Sequence, residues 1–258
     1  METPRTTTAQ MTTTTTSPRR LRARSVAYAL LARLLGADPS AITDDVTIDA
    51  LQVALTTASD PAISRLISLD RSQAVDPAEL AGRWVRWFEL GRVAPYEGSN
   101  VLATAGGITP RLADVAGFYR AFGLAVSGDR PDHIVAQLEF LAVALLTEAE
   151  ALERGDSECA DVASRATRSF VRDHIGGWID AWSARVAEVD ELVAWVPFAA
   201  AAADLVRSEA AQRNVIPLRD NVALVADLGV ADDLEATLTC EDDDTYSTDD
   251  QTMEMPDA

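Results

Sequence analysis

The chain has 258 residues, 48% of them hydrophobic, enough to bury an ordinary core in one domain or at most two. Its formal net charge is −19 and all 22 basic residues are arginine; +4 of that charge falls in residues 1–24, −12 lies from Asp227 onward, and the remaining −11 sits on the body between. An acidic body excludes a nucleic-acid partner, which needs a basic face to neutralise phosphate, and favours a cationic one.

Residues 1–19 are threonine-rich with few apolar side chains, so they cannot offset the entropy of ordering and are expected to form a disordered tail. Ser17-Pro18-Arg19-Arg20 ahead of an apolar stretch superficially matches a twin-arginine export signal. Arg22, Arg24 and Arg33 interrupt what should be an uncharged run, however, and Leu21, Tyr28, Leu31 and Leu35 recur at helical spacing. The pattern predicts an amphipathic first helix near 20–35. Further on, Asp60-Pro61, Asp76-Pro77 and Thr109-Pro110 each place a capping side chain before a proline at the first helical position. Gly91, Gly123 and Gly155 follow periodic segments, as left-handed caps do. Helices are therefore expected near 44–58, 61–69, 77–90, 110–122, 131–154, 157–174, 177–189 and 191–212, with a weaker one near 219–227. No segment alternates with period two between turn residues, so the class is all-α. No run approaches the roughly 20 apolar residues that span a bilayer, so stable membrane insertion is not expected. From Asp227 to the end there are acidic residues and no basic one, which reads as a second solvated tail. The expected organisation is a disordered tail over 1–19, a single bundle of about nine or ten helices over 20–228, and an acidic disordered tail over 229–258.

The segment 131–154 is apolar around most of its circumference, with Ile134, Leu138, Leu141, Leu145 and Leu152 on one stripe and Val135, Ala142, Val143 and Leu146 beside it. Such a helix is expected to be buried and central. Its opening gathers Asp129, Pro131, Asp132 and His133 where a helix exposes free N–H groups. Asp132 there reads equally as a helix cap, and His133 as a packed histidine. The long break at 91–109 holds Pro95, Tyr96, Glu97 and Gly106-Gly107, and loops of this length carry function or are disordered. Just before it, Trp84, Trp87 and Phe88 cannot all share one helix face, so at least one is expected toward the loop or a groove.

Catalytic patterns are absent. His133 and His174 are the only histidines; neither is preceded three residues earlier by glutamate, which excludes the helical di-iron pattern. There is no phosphate-cradling glycine loop of the GxxxxGK type and no G-x-S-x-G nucleophile elbow. Cys159 and Cys240 have neither disulfide nor zinc spacing. Glu139, inside the apolar helix, reads first as a carboxylate hydrogen-bonded across helices. The expectation is a binding protein, not an enzyme, with no metal and no cofactor of its own.

The order Trp84-Val85-Arg86-Trp87-Phe88, Pro95-Tyr96-Glu97-Gly98-Ser99, Phe118-Tyr119-x-x-Phe122-Gly123-Leu124, Pro131-Asp132-His133-Ile134-x-x-x-Leu138-Glu139-Phe140-Leu141 and His174-x-x-x-Trp178 resembles the TorD/DmsD/NarJ family of molybdoenzyme-specific chaperones, the redox enzyme maturation proteins. The resemblance covers roughly 24–210; Trp87 stands where the family commonly has leucine. It implies an all-helical cytoplasmic chaperone. Its partners would be the apo catalytic subunit of a molybdoenzyme of the DMSO-reductase family and that subunit's N-terminal twin-arginine signal peptide, held until the molybdopterin cofactor is inserted. Such a signal needs carboxylates for its guanidinium groups and an aromatic-lined groove for its apolar part. Asp132 and Glu97 are the expected carboxylates, Trp84, Trp87, Phe88 and Tyr96 the groove walls, and Pro131 and His133 complete the binding face. Two other readings stay open: a small-ligand or nucleotide-binding helical protein using the Gly106-Gly107 loop, and a hydrolase using Asp132, His133 and Glu139.

Overall fold

Residues 17–67, 69, 76–102, 107–126 and 130–218 are described by a computed structural model of the chain. Residues 1–16 of the predicted N-terminal tail, the acidic tail, the weak helix near 219–227, Gly106, Asp129 and Cys240 lie outside the described residues, while Ser17, Pro18 and Arg19, expected in the tail, form the cap and first turn of a helix.

The first predicted helix is α1, Pro18–Leu34, opened by a proline whose missing N–H costs nothing there. Leu21, Tyr28 and Leu31, with Leu35 just beyond the helix, are at most 3% exposed, as the spacing indicates. Asp44 caps α2, Asp45–Ala58, by accepting from the Val46 N–H. Asp60 caps a short 3-10 turn, Pro61–Ile63, that runs into α3, Ser64–Ile67. Asp76 caps α4, Pro77–Trp84, which widens into a π-turn over Val85–Glu89. At α5, Thr109–Ala121, the expected threonine cap is not formed: Ile108 takes the cap position and Thr109 is drawn into the first turn. There follow α6, Ile134–Glu153, α7, Ser157–Asp173, and α8, Ile175–Ala187. A 3-10 turn, Asp190–Leu192, then leads into α9, Val196–Gln212. Gly123 and Gly155 adopt φ of +69° and +73°, the left-handed caps expected of them. Gly91 does not; it is needed because a Cβ there would lie 2.6 Å from the Arg86 carbonyl oxygen. No β-strand forms among the described residues, and the class is all-α.

Helix α1 packs along α6 and α2, α6 along α7, and α8 along α9. Ile134, Leu138, Leu141 and Leu145 of α6 are fully buried, and Trp178, Trp182 and Trp195 fill the core beside them. Arg24, a break in the apolar run by sequence, is buried in an ionic network. It donates to Glu209 at 2.8 Å and pairs with Asp60 at 3.2 Å, while Arg213 joins Glu209 and reaches Glu148 at 2.7 Å. These five groups tie α1, α6 and the end of α9 together, and in a low-dielectric interior each depends on the others for compensation.

The expectation that α6 is covered on all sides is corrected. Val135, Ala136 and Val143 are only partly buried and Glu139 is exposed. The second apolar stripe of the helix therefore faces an open groove. No described helix is long and apolar enough to cross a membrane.

Candidate functional site

The Pro95–Ser99 loop and the approach to α6 meet through main-chain pairing. The Glu97 N–H donates to the Asp132 carbonyl at 2.9 Å, the Ile134 N–H donates to the Pro95 carbonyl at 2.8 Å, and an isolated antiparallel bridge joins Tyr96 to His133. The Asn100 side-chain amide holds the loop closed by donating to the carbonyls of Ala94, at 3.0 Å, and Tyr96, at 2.6 Å. Gly98 sits where a side chain would collide with Ile108, whose Cδ1 would be 1.6 Å from an added Cβ. A glycine is thus what lets the loop press this close.

His133, not Asp132, caps α6: its Nδ1 accepts the Val135 N–H at 3.2 Å. That bond requires a lone pair on Nδ1. Asp132 is fully buried, accepting from the Gly98 N–H at 2.9 Å and from the Nε and Nη2 of Arg130 at 3.0 and 2.6 Å. The Arg130 guanidinium also lies over the Tyr96 ring, 4.8 Å from its centroid, and the Tyr96 and His133 rings meet edge-on at 4.9 Å. From α5 the Tyr119 hydroxyl donates to the Pro131 carbonyl at 2.7 Å. Burial first, and then the nearby Glu97 and Asp132 carboxylates, push its phenol well above the ordinary range.

Glu97 is likewise fully buried and already compensated. Arg111 reaches it at 2.6 Å, the Gln137 amide donates at 2.5 Å, and His174 Nδ1 lies 3.2 Å away. The Trp178 indole N–H donates to the other end of Gln137 at 3.2 Å. Arg111, Gln137 and His174 are the members of this cluster that sequence reasoning did not assign. His174 could have been suspected from its place before Trp178, but nothing in the sequence joins it to Glu97.

Of the predicted residues, Tyr96, Glu97, Pro131, Asp132 and His133 come together. The aromatic trio does not join them as groove walls. Trp84 and Phe88 are 4% and 2% exposed, with Phe88 packed edge-on against Trp84 and Trp195 and tilted against Trp182. Trp87 is half-buried, its indole N–H donating to Glu191 at 3.1 Å. The helix turn that carries all three directs two of the rings inward and the third across to the 3-10 turn before α9.

The concave surface lies instead on the other side of His133. A cavity of about 410 Å³ opens between α1, α6 and the strip after α5, with Ala29, Leu124, Val126, Val135 and Val143 among its walls and Tyr119, His133 and Glu139 supplying polar atoms. Among the described residues Glu139 makes no bond across helices, contrary to the first reading; it stands at this cavity, and partial burial raises its carboxyl above the usual range. Among the described residues no cluster of three metal-ligating side chains forms. The hydrolase arrangement is not supported either. Asp132 is spent on Arg130 and His133 Nδ1 on a backbone N–H, so no base–nucleophile relay is assembled.

A family model described as nitrate reductase delta subunit matches residues 49–184, from α2 through α8 and across the whole paired loop. The chain is 33% identical over 131 residues to the selenate reductase assembly chaperone protein of Thauera selenatis, covering 46% of this chain and 66% of the relative. It is 32% identical over 122 residues to the chlorate reductase assembly chaperone protein of Ideonella dechloratans, covering 43% and 61%. The chain thus covers less than two thirds of the length of each of these relatives.

Proposed function

Because the chain belongs to the nitrate reductase delta subunit family, we propose that it is an assembly chaperone for a molybdopterin-containing oxidoreductase, not itself an enzyme. It binds the apo catalytic subunit and that subunit's N-terminal signal, of the twin-arginine kind or a vestige of it, until the cofactor is in place, and it works in the cytoplasm. The relatives' roles with selenate and chlorate reductase support a reductase subunit as the client.

The observation that carries the reading is the groove beside the Tyr96–His133 bridge. It is apolar-walled, open to solvent, and rimmed by a rigid backbone pairing, which suits capture of an extended or helical apolar segment. His133 stands at its edge, held from behind by the bridge to Tyr96, and Tyr119, also at its wall, donates to the Pro131 carbonyl. Asp132 and Glu97 hold that edge in shape through Arg130 and Arg111, and Trp84, Trp87 and Phe88 anchor the helix before the loop to the core and to Glu191. The acidic body speeds encounter with a basic signal, an effect that weakens as salt rises.

The test is co-expression with the catalytic subunit of a candidate molybdoenzyme, made with and without cofactor supply. The chaperone should co-purify with the cofactor-free subunit and be released from the loaded one. Equal retention of both forms, or of neither across the candidate reductases, refutes the reading.

A further inference from the structure

The site's two buried carboxylates each have an internal cation: Asp132 pairs with Arg130 at 2.6 Å and Glu97 with Arg111 at 2.6 Å. Glu139 differs. It stands on the open side of α6, at the cavity of about 410 Å³, and no ion pair to it forms among the described residues. Its neighbours along that cavity include the apolar Val126, Val135, Ala136 and Val143. The other ionisable side chains at the wall are Tyr119, whose hydroxyl donates to the Pro131 carbonyl, and His133, whose Nδ1 accepts from the Val135 N–H.

That arrangement restricts the occupant. A purely apolar segment seated here would strip water from a carboxylate without replacing its hydrogen bonds, at a cost that would offset much of the gain from burying the segment. An anionic ligand would be repelled. What fits is an apolar segment carrying one cation placed to meet Glu139. A guanidinium suits a half-buried position better than an ammonium, because it is more weakly hydrated and offers two parallel N–H donors to a carboxylate.

We propose that Glu139 receives the guanidinium of an arginine in the client segment, while apolar side chains flanking that arginine occupy the Val126–Val143 part of the groove. The assignment rests on the chaperone reading for the identity of the client. It moves the arginine contact away from Asp132 and Glu97, whose charges the fold itself consumes.

Two probes test it on the full chain. The first is a synthetic twenty-residue peptide with two arginines ahead of an apolar stretch, titrated by calorimetry beside a version with both arginines replaced by glutamine. Glu139→Gln should weaken the arginine peptide by about tenfold or more and leave the weak glutamine peptide unchanged. The second is octylguanidinium, which carries the same chemistry without a peptide, followed through the methyl resonances of Val126, Val135 and Val143. It should shift these signals in the wild type and far less in Glu139→Gln, with octanol giving no such difference. If the arginine peptide binds the wild type and Glu139→Gln equally, the Glu139 assignment is overturned while the chaperone reading stands. If the peptide fails but octylguanidinium binds through Glu139, the guanidinium site stands and the signal-binding reading falls. If neither probe depends on Glu139, the site is not there. Methyl shifts that follow protein concentration alone, or removal of residues 1–16, would mean that a second copy or the chain's own tail fills the groove, and would overturn the proposal.

Discussion

Asp132 offers the sharpest separation between a carboxylate that would meet an external cation and one that builds the surface around the groove. Its carboxylate accepts three internal hydrogen bonds, one from the Gly98 N–H and two from Arg130, and it is fully buried. In Asp132→Ala the Gly98 N–H loses its acceptor, which costs about 1–3 kcal/mol for a poorly solvated donor. Arg130 is 44% exposed and regains water, so its lost pair contributes about 1 kcal/mol or less after screening. The sum, about 1–4 kcal/mol, corresponds to a fall in Tm of roughly 3–12 °C for a folded body of this size. Asp132→Asn keeps an oxygen toward Gly98 and should lose about half as much. The assay is thermal and urea unfolding of the purified variants, read beside binding of the arginine peptide at a temperature where each remains folded. The expected result is a destabilised Asp132→Ala whose affinity for the peptide, once folded, falls only several-fold. An Asp132→Ala variant that melts within about a degree of wild type yet binds no peptide would refute this reasoning and restore Asp132 as the direct arginine ligand.

Other outcomes follow from the same geometry. Glu97→Ala removes the Arg111 pairing and empties the centre of the Gln137–His174 cluster, so a loss of about 3 kcal/mol or more is expected in urea unfolding. Gly98→Ala should destabilise by about 1–3 kcal/mol through collision with Ile108, and Ile108→Ala in the same chain should recover most of that loss. Arg24→Ala leaves Glu209 and Asp60 short of a cation deep in the α1–α9 contact and should cost about 3–5 kcal/mol, seen as a large drop in Tm. Glu139 has a raised carboxyl in the folded chain, so the native state holds that proton more tightly than the unfolded one. Its contribution to stability is therefore lost as pH rises from the ordinary carboxylate value through the folded value. Glu139→Gln should accordingly melt slightly higher than wild type at neutral pH, with the difference vanishing in acid; a lower Tm at neutral pH would show that Glu139 has an internal partner after all.

The helices were legible because their signals are local. Asp60 and Asp76 cap within two residues of themselves, and Gly123 and Gly155 stop helices by their own backbone freedom. Thr109 misled because a proline at the second helical position fits a cap one residue or two before it equally well, and Ile108 took the place. The site was legible in part: the Pro95–Glu97 loop and the Pro131–His133 opening do meet. What they do there was hidden, since whether a carboxylate is left to meet a ligand depends on which arginine of the chain reaches it. Arg130 was visible two residues from Asp132, but only the fold shows that it turns back. The aromatic trio shows the converse limit, because composition finds large rings without saying whether core or solvent receives them. The second stripe on α6 shows another: periodicity reports an apolar face, not whether protein covers it.

One consequence of the cluster around Glu97 concerns time and not affinity. Glu97 and His174 stand 77 residues apart in sequence and 3.2 Å apart in the fold. On the ribosome, the loop that edges the groove is made long before the histidine that steadies it. The cluster around Glu97 is therefore complete only once the junction between α7 and α8 has been made and docked.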